Sequence, residues 1–376
     1  MLVHTSKATL SKVNKVNAVK QVWFGALVSP ARLRLFVWLS LATQILIVVT
    51  GGLVRLTGSG LGCPTWPKCT DESLVSTQEM GIHGVIEFGN RLLTFVLLIV
   101  ALLTFIVVVR KAEAAKELTA PTLSFFGGVA LFIVGLIVHN FLGLGPEAIA
   151  TFAASLAAML GFGAVVVRRA KRLEPAGLIW PAFLLGAGII LQAVVGGITV
   201  LTGLNSWIVG LHFVISMFLI ALAALLVWRA LPKPSGVIAG WNLKLAPLTV
   251  VVGLVTTLIG VVVTGAGPHA GDAATPRNGL DLEIWQHYHS YPGYLMLGLI
   301  SVQLASQYLA TRSLWQDLGT RILTILFLVT LSQAAIGIIQ SRLGVPEFLV
   351  AAHMLGAAVL AALISFQYFS AKRISR

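Results

Sequence analysis

Three histidines in strongly apolar stretches are the side chains of this 376-residue chain best suited to metal chemistry. His212 follows Gln192 by 20 residues, His353 follows Gln333 by the same interval, and His289 lies in a third apolar stretch. A histidine inside a hydrophobic segment is costly unless its ring nitrogens find partners, which makes such residues candidates for ligands. Two neutral imidazoles that approach from opposite sides suit the iron of a haem.

Other metals fit His289 and His353 less well than haem iron does. A closed zinc site takes four ligands and would need more Cys, Asp or Glu nearby. Copper accepts imidazole, but no cluster of Met or Cys lies near these two residues to favour it. We therefore predict that His289 and His353 are the two axial ligands of one haem. The remaining histidines outside the sites are interpreted as packing residues (His139 and His287), a loop residue (His269) and part of the N-terminal tail (His4).

A second group of polar side chains shares one face of a predicted helix. His83, Glu87 and Asn90 are spaced four and three residues apart, which places them on the same side of the helix. Glu87 is interpreted either as a proton acceptor in a dry environment or as the ion-pair partner of Arg91. His83 is interpreted either as a proton-handling neighbour of Glu87 or as structural support for the helix.

Arg55, Arg91 and Arg342 lie at the ends of apolar stretches, near the predicted level of the histidines. A guanidinium group forms bidentate hydrogen bonds with carboxylates, so these arginines are candidates for contacts with haem propionates. Each could equally extend its charged end towards lipid headgroups. The sequence leaves both interpretations open.

The composition indicates a protein embedded in a membrane. Hydrophobic residues make up 57% of the chain and charged residues 10%, and the mean hydropathy is +0.93. A helix needs roughly 20 apolar residues to cross a bilayer. We predict an all-α polytopic membrane protein with ten transmembrane helices, at residues 35–54, 84–109, 121–141, 147–167, 177–201, 207–229, 245–264, 287–309, 322–341 and 348–370.

The distribution of positive charge predicts the orientation of these spans. An even number of spans places both termini on one side, and 21 of the 26 Lys and Arg residues fall on that side. Because cytoplasmic segments are rich in Lys and Arg, we predict that both termini are cytoplasmic and that the protein lies in the cell membrane. The net charge of +13 then faces anionic lipid headgroups, and no nucleic acid is needed to explain it.

An internal repeat divides the chain into two similar four-helix halves. Gln192-Ala-Val-Val-Gly196 corresponds to Gln333-Ala-Ala-Ile-Gly337, and Thr57-Gly-Ser-Gly60 corresponds to Thr264-Gly-Ala-Gly267. Both halves begin on the cytoplasmic side, so we predict parallel repeats related by an axis along the membrane normal. The predicted organisation is a basic cytoplasmic tail at 1–34, a first half at 35–230 with an inserted hairpin at 118–172, a linker at 231–244, a second half at 245–370 and a tail at 371–376.

The repeat also identifies equivalent positions near the start of the second helix of each half. Glu87-Phe-Gly-Asn90-Arg91 corresponds to Gln286-His-Tyr-His289-Ser290. The repeat predicts histidine at position 90, and the chain has asparagine there. The second half therefore offers a pair of histidines, and the first half offers His212 with Asn90, all near the extracytoplasmic ends of their helices.

Cys63 and Cys69 lie in the loop after the first predicted span, on the extracytoplasmic side. A disulfide is permitted there, and the Gly and Pro residues of the loop let two close cysteines meet. The alternative is a pair of free thiols. We predict the disulfide, which would stiffen a loop that covers the first half.

Five sequence strings together resemble the haem A synthase family. They are GGLVRLTGSGLGCPTWPKC from Gly51, IEFGNRLLT from Ile86, QAVVGGITVLTGL from Gln192, VTGAGPHAGD from Val263 and QAAIGIIQSRLGVPEFLVAAHM from Gln333. The resemblance covers both halves and implies an eight-helix fold of two bundles with haem sites towards the outer face. It implies an enzyme that oxidises a methyl group of haem O to the formyl group of haem A by successive hydroxylations, for terminal oxidase assembly.

The same resemblance implies roles for individual residues. His289 and His353 match the pair that holds a resident haem b, and His212 matches one ligand of the substrate haem. Glu87 matches the acidic residue of the substrate site, and the cysteines match the loop pair of the family. The implied partners are haem O and haem A, the enzyme that produces haem O, and terminal oxidase assembly factors. The oligomeric state stays open.

Two features depart from the family pattern. Asn90 stands where a second histidine is usual, and the hairpin at 118–172 is additional to the eight-helix plan. Asparagine is a poor ligand for haem iron, so we predict an open coordination position in the first half. His83 and Glu87 are predicted to lie on its reactive side.

Two other functions share parts of this pattern. A haem-b electron-transfer membrane protein of the quinol-oxidising type would also pair histidines in apolar helices, but it would place haems at two depths. A secondary transporter would also have parallel repeats, but with broken helices and charged groups in mid-membrane. The polar residues of this chain lie at helix ends, which favours the synthase.

Overall fold

Ten long α-helices account for most of the computed structural model, which describes residues 29–143, 145–174, 177–232 and 237–372. A short 3₁₀ helix, Gln78–Met80, precedes the second of them. The ten helices are α1 Pro30–Leu56, α2 Gly81–Lys111, α3 Ala115–Leu142, α4 Pro146–Leu173, α5 Ile179–Leu201, α6 Ser206–Ala230, α7 Gly240–Ala266, α8 Leu282–Thr311, α9 Leu318–Arg342 and α10 Glu347–Ala371.

The predicted fold class is confirmed by these helices. Within the described ranges, nine of the ten are long and apolar enough to cross a membrane. The exception is α8, which has 30 residues but whose apolar residues are interrupted by His, Tyr and Gln. Most helices extend past the predicted apolar runs, because a helix continues into the polar boundary region where hydropathy no longer marks it. The chain is an all-α multi-pass membrane protein.

The helices divide into two compact units. The first contains the described residues up to Val37 together with Leu102–Leu184, and its main feature is the α3–α4 hairpin. A Cβ atom at Gly135 would lie 2.9 Å from Phe152, so the two helices approach closely through glycine. At the other end, Arg169 Nη1 donates to the Glu117 carbonyl at 2.7 Å.

The second unit contains Trp38–Ala101 and the described residues from Leu185 onwards, and it holds every candidate site residue. Its hydrophobic core is contributed by α7 to α10: Val252, Met296, Ile300, Leu326 and Leu360. Buried amides join the same helices. Gln303 Nε2 donates to Thr249 Oγ1 at 2.7 Å, and Gln367 Nε2 donates to Gln303 Oε1. These contacts fix the helices that carry His289 and His353.

Some predicted features lie outside the described residues. They are residues 1–28 of the predicted tail, with His4, then 233–236 of the predicted linker, and 373–376 at the C-terminus. The predicted division into two bundles with an inserted hairpin stays a prediction.

Candidate haem site

The rings of His289 and His353 face each other in the second unit. Their centroids are 6.2 Å apart and their planes meet at 75°. Two imidazoles that bind one metal ion from opposite sides, with bonds of about 2 Å and about 1.1 Å from nitrogen to ring centre, have centroids roughly 6 Å apart. The separation of the two rings therefore fits a single iron between them.

The hydrogen bonds of this pair also suit iron ligation. His289 Nδ1 lies 3.0 Å from the Thr256 carbonyl oxygen on α7. A carbonyl only accepts, so Nδ1 carries the proton and the lone pair lies on Nε2, the arrangement that orients a metal-binding histidine. Among the described residues, His353 Nδ1 is buried without a partner. An unpartnered buried nitrogen is costly, so His353 is a candidate for a ligand-binding residue.

A glycine lies beside each ring on the preceding helix, and only Gly260 leaves space that a side chain would fill. A Cβ atom at Gly260 would lie 2.9 Å from His289 Cε1, and one at Gly337 would lie 3.7 Å from His353 Cε1. Thr256 and Gly260 have no signature in the sequence that assigns them to the site. Gly337, in contrast, belongs to the repeated Gln-x-x-x-Gly motif.

His212 occupies the equivalent position in the first half. Gln192 Nε2 donates to the His212 carbonyl at 2.9 Å and to Ser216 Oγ at 2.5 Å. A Cβ atom at Gly196 would lie 3.4 Å from His212 Cε1, as Gly337 does for His353. Within the described part of the chain, His212 Nδ1 is buried and has no hydrogen-bond partner. The repeat thus extends from sequence to side-chain packing.

In the described part of the chain, the Asn90 side chain is hydrogen-bonded to a residue of α1 and to no ionisable group. Thr50 Oγ1 donates to Asn90 Oδ1 at 2.8 Å. His83, seven residues earlier on α2, is exposed, and its Nδ1 lies 2.8 Å from Ser59 Oγ. Ser59 belongs to the repeated Thr-Gly-Ser-Gly motif, which is the one sequence feature that could have identified it.

Glu87 and Arg91 form an ion pair that binds the cysteine loop. Glu87 is 5% exposed, and its Oε1 lies 2.6 Å from Arg91 Nη2. Glu87 Oε2 accepts from the Cys63 backbone N–H at 2.5 Å. Arg91 also donates to the carbonyl oxygens of Cys63 at 2.8 Å, Thr65 at 3.1 Å and Lys68 at 3.0 Å. With two bonds to Glu87, all five guanidinium N–H donors are occupied.

The cysteine pair closes the loop that Arg91 binds. Cys63 and Cys69 form a disulfide with Cα atoms 4.4 Å apart, and both are fully buried. The predicted disulfide is therefore present. Between them, Trp66 packs against α5 at Gly197, where an added Cβ atom would overlap its indole ring. The loop thus lies over α2 and α5 of the first half.

Thiol labelling of the unreduced protein is expected to leave Cys63 and Cys69 unmodified, because the disulfide is closed and buried. After denaturation and reduction, mass spectrometry is expected to find two labels per chain. Full labelling of both residues before reduction would contradict the disulfide.

Arg55 binds the end of α7 and the loop that follows it. Its Nε donates to the His269 carbonyl at 2.6 Å, and its Nη2 donates to the Thr264 carbonyl at 2.7 Å. His269 Nε2 in turn lies 2.8 Å from the Val345 carbonyl, in the loop before α10. The Gly60 N–H donates to the Gly271 carbonyl at 2.8 Å. Because backbone carbonyls leave no pattern in a sequence, this set of contacts could not be predicted.

The remaining histidines differ in part from their predicted roles. His269 lies in a loop as predicted but also joins two loops. His287 was predicted to contact a neighbouring helix, whereas its Nδ1 lies 2.6 Å from the Glu283 carbonyl of its own helix. The His287 ring bonds within its own helix because the Glu283 carbonyl, four residues earlier, lies at hydrogen-bonding distance from it. His139 is exposed on α3.

Parts of the chain are similar to known proteins. Residues 34–137 match the COX15-CtaA family, described as cytochrome oxidase assembly protein. The chain is similar to a Heme A synthase of Oceanobacillus iheyensis, with 31% identity over 131 residues, which are 34% of this chain and 42% of that protein. It is similar to one of Lysinibacillus sphaericus, with 30% identity over 101 residues, which are 26% and 30% of the two chains. For one of Geobacillus thermodenitrificans, identity is 41% over 54 residues, or 14% and 16%.

The chain thus matches less than half the length of each of these relatives. The family match includes the cysteine loop with Glu87 and Arg91, whose side chains hold that loop in the structure. The sequence strings, the shared name of the relatives and the matched family agree. In these segments the chain is similar to the haem A synthase family.

Proposed function

We propose that this protein is a haem A synthase, a membrane oxidoreductase that oxidises a methyl group of haem O to the formyl group of haem A by successive hydroxylations. The product serves the assembly of terminal oxidases. The observation that carries the proposal is the facing pair His289 and His353, whose 6.2 Å ring separation suits haem iron. The relatives named Heme A synthase and the matched family support it.

The second half is proposed to hold a resident haem b. The imidazoles of His289 and His353 would hold it, and the Thr256 carbonyl would keep His289 in the tautomer that presents Nε2. A bound haem supplies one-electron chemistry there. The buried amides around Gln303 keep the helices of this half in place, so the two imidazoles stay at ligating distance.

The first half is proposed to hold the substrate, with His212 as an axial ligand. Converting a methyl to a formyl group adds one oxygen atom and removes two hydrogen atoms. This four-electron oxidation requires proton transfer at the site, whichever oxidant accepts the electrons. Glu87 and His83 are proposed to handle these protons. Both oxygens of Glu87 are hydrogen-bonded, to Arg91 and to the Cys63 N–H, which holds the carboxylate in one orientation.

Arg55 and Arg91 were predicted to contact haem propionates. Arg91 has every N–H donor occupied and Arg55 binds two carbonyls, so a propionate would have to displace these acceptors. We propose that both residues serve the haem sites by fixing the loops above them. Arg91 fixes the cysteine loop, and Arg55 fixes the loop between α7 and α8.

The proposed orientation follows the distribution of charge. Both termini are placed in the cytoplasm and the haem sites towards the extracytoplasmic side of the cell membrane. Haem O would reach the first half from the enzyme that produces it, and haem A would pass to oxidase assembly factors. Two parallel four-helix bundles, with α3 and α4 as an insertion, are the proposed architecture.

The test compares His212→Ala with His83→Ala for binding of haem O and for its conversion to haem A. His212→Ala is expected to abolish both, because the variant loses the proposed ligand in the first half. His83→Ala is expected to bind haem O and to lower turnover by roughly 10²-fold, the scale of a lost acid–base group.

Two outcomes would contradict these roles. If His83→Ala kept wild-type turnover, its proton-handling role would be wrong. If it abolished haem binding as His212→Ala does, His83 would be a ligand. Exposed His139, which lies in the first unit on α3, provides the matched control His139→Ala, and wild-type activity is expected of it.

A further inference from the structure

Asn90 and His289 each lie near the start of the second helix of their half, and each is hydrogen-bonded to a threonine of the first helix through different atoms. Asn90 Oδ1 accepts from the Thr50 hydroxyl, whereas His289 Nδ1 donates to the Thr256 backbone carbonyl. The two threonines, Thr50 and Thr256, lie seven and eight residues before the repeated Thr-Gly-x-Gly motifs. Asn90 therefore takes the place in the first half that His289 takes in the second.

The bond from Thr50 sets the orientation of the Asn90 amide. The hydroxyl donates to Oδ1 at 2.8 Å, so Nδ2, which carries two N–H donors, is directed away from that hydroxyl. Among the described residues, no acceptor is hydrogen-bonded to Nδ2. Gly51 lies beside it, and a Cβ atom added there would make an ordinary van der Waals contact with Nδ2 at 3.9 Å.

We propose, on the basis of the proposed function, that the haem site of the first half has a single protein ligand, His212, and that Asn90 presents amide N–H donors to the opposite side of the iron. By the repeat, Asn90 lies opposite His212 as His289 lies opposite His353. An amide is a poor ligand for haem iron but a good hydrogen-bond donor. Asn90 is thus a positioning residue for a small group that accepts hydrogen bonds.

This difference between the halves suits their different tasks. A resident haem is retained by two coordinate bonds, from His289 and His353. A substrate haem must enter and its product must leave, so a single bond from His212 lowers the barrier to exchange. The open position also gives a small molecule access to the iron. Glu87 and Arg91 are close to it in sequence, because Glu87 lies three residues before Asn90 on α2 and Arg91 lies one residue after it.

The spin state of the purified, haem-loaded protein tests the proposal without any turnover. Electron paramagnetic resonance of the ferric wild type is expected to show one low-spin haem, from the second half, and one high-spin haem, from the first. Asn90→His is expected to convert the high-spin signal to low-spin. The reciprocal variant His289→Asn is expected to convert the low-spin signal of the second half to high-spin.

Thr50→Val tests the orientation of the amide. This variant removes one hydroxyl, so it is expected to leave the high-spin signal in place. With carbon monoxide as the probe on the ferrous protein, it is expected to shift the C–O stretching frequency of the first-half haem, because the N–H donors are no longer directed towards the probe. An unchanged frequency in both Thr50→Val and Asn90→Leu would overturn the role of Asn90 as a donor.

The wild-type spectrum alone decides the number of ligands, so a variant that fails to fold does not prevent a decision. Two low-spin haems in the wild type would overturn the proposal, and loss of one of them in His83→Ala would identify the second ligand. The proposed function would survive that result. If His212→Ala left the haem content unchanged, the substrate site of the proposed function would itself be wrong.

Discussion

Replacing His353 with alanine is expected to remove the low-spin haem spectrum of the second half almost completely. The rings of His289 and His353 are 6.2 Å apart, so each can supply one bond to an iron between them. Without His353, a haem bound through His289 alone would be five-coordinate and high-spin, and much of it would be lost during purification. Visible and electron paramagnetic resonance spectra of the purified variant measure both effects.

A matched control for this variant lies on the same helix as His289. His287→Ala removes an exposed imidazole that is bonded only to the Glu283 carbonyl of its own helix, and its spectrum is expected to equal that of the wild type. Added imidazole is expected to restore part of the low-spin signal of His353→Ala by occupying the vacated volume. A His353→Ala protein with a full complement of low-spin haem b would show that the pairing is wrong.

Glu87→Gln is expected to lower conversion of haem O by about 10²- to 10⁴-fold, the range for loss of a general acid–base group. Glutamine keeps one oxygen, which can accept from either the Cys63 N–H or Arg91 but not both, since its amide nitrogen is a donor. It carries no charge and does not take up a proton as a carboxylate does. The low-spin haem of the second half is expected to persist, since Glu87 lies on α2 and the ligands lie on α8 and α10. Turnover and haem content are measured on the same preparation.

Arg91→Lys separates proton handling by Glu87 from support of the cysteine loop. Lysine keeps the positive charge beside Glu87 but has three donors, too few for the carbonyls of Cys63, Thr65 and Lys68 together with Glu87. Limited proteolysis is expected to cut residues 63–69 faster in Arg91→Lys than in Glu87→Gln. Only Glu87→Gln is expected to change the solvent isotope effect on turnover. If both variants changed proteolysis and the isotope effect equally, the proton-handling role of Glu87 would be contradicted. Glu87 would then be only a structural partner of Arg91.

The fold could be predicted largely because membrane helices are long apolar runs. Hydropathy located all ten helices, but it placed the start of α7 five residues late, at 245 and not at Gly240. Helix ends are set by caps and by the boundary of the membrane, and neither changes hydropathy sharply. Helix α8 shows that a continuous helix can fall below the hydropathy of a membrane span. Its His, Tyr and Gln residues lower the hydropathy, although the helix runs unbroken over 30 residues.

The site could be predicted where it depends on side chains that repeat. His212 and His353 were identified from equal spacing and His289 from its position in a third apolar stretch, and the structure brings His289 and His353 together. Two sets of contacts could not be predicted, because the acceptors are backbone carbonyls. Arg91 binds the cysteine loop, and Arg55 binds the end of α7 and the loop that follows it. Any residue type supplies a carbonyl, so only the folded chain shows which ones converge.

Extraction and chromatography of the haems bound to the purified protein is the most direct measurement of its function. A haem A synthase is expected to yield haem B together with haem O, a hydroxylated intermediate or haem A, and His212→Ala is expected to retain haem B while losing the others. The measurement requires that haem O is available in the cell. If wild type and His212→Ala then both yielded haem B alone, the result would contradict a synthase and favour an electron-transfer protein.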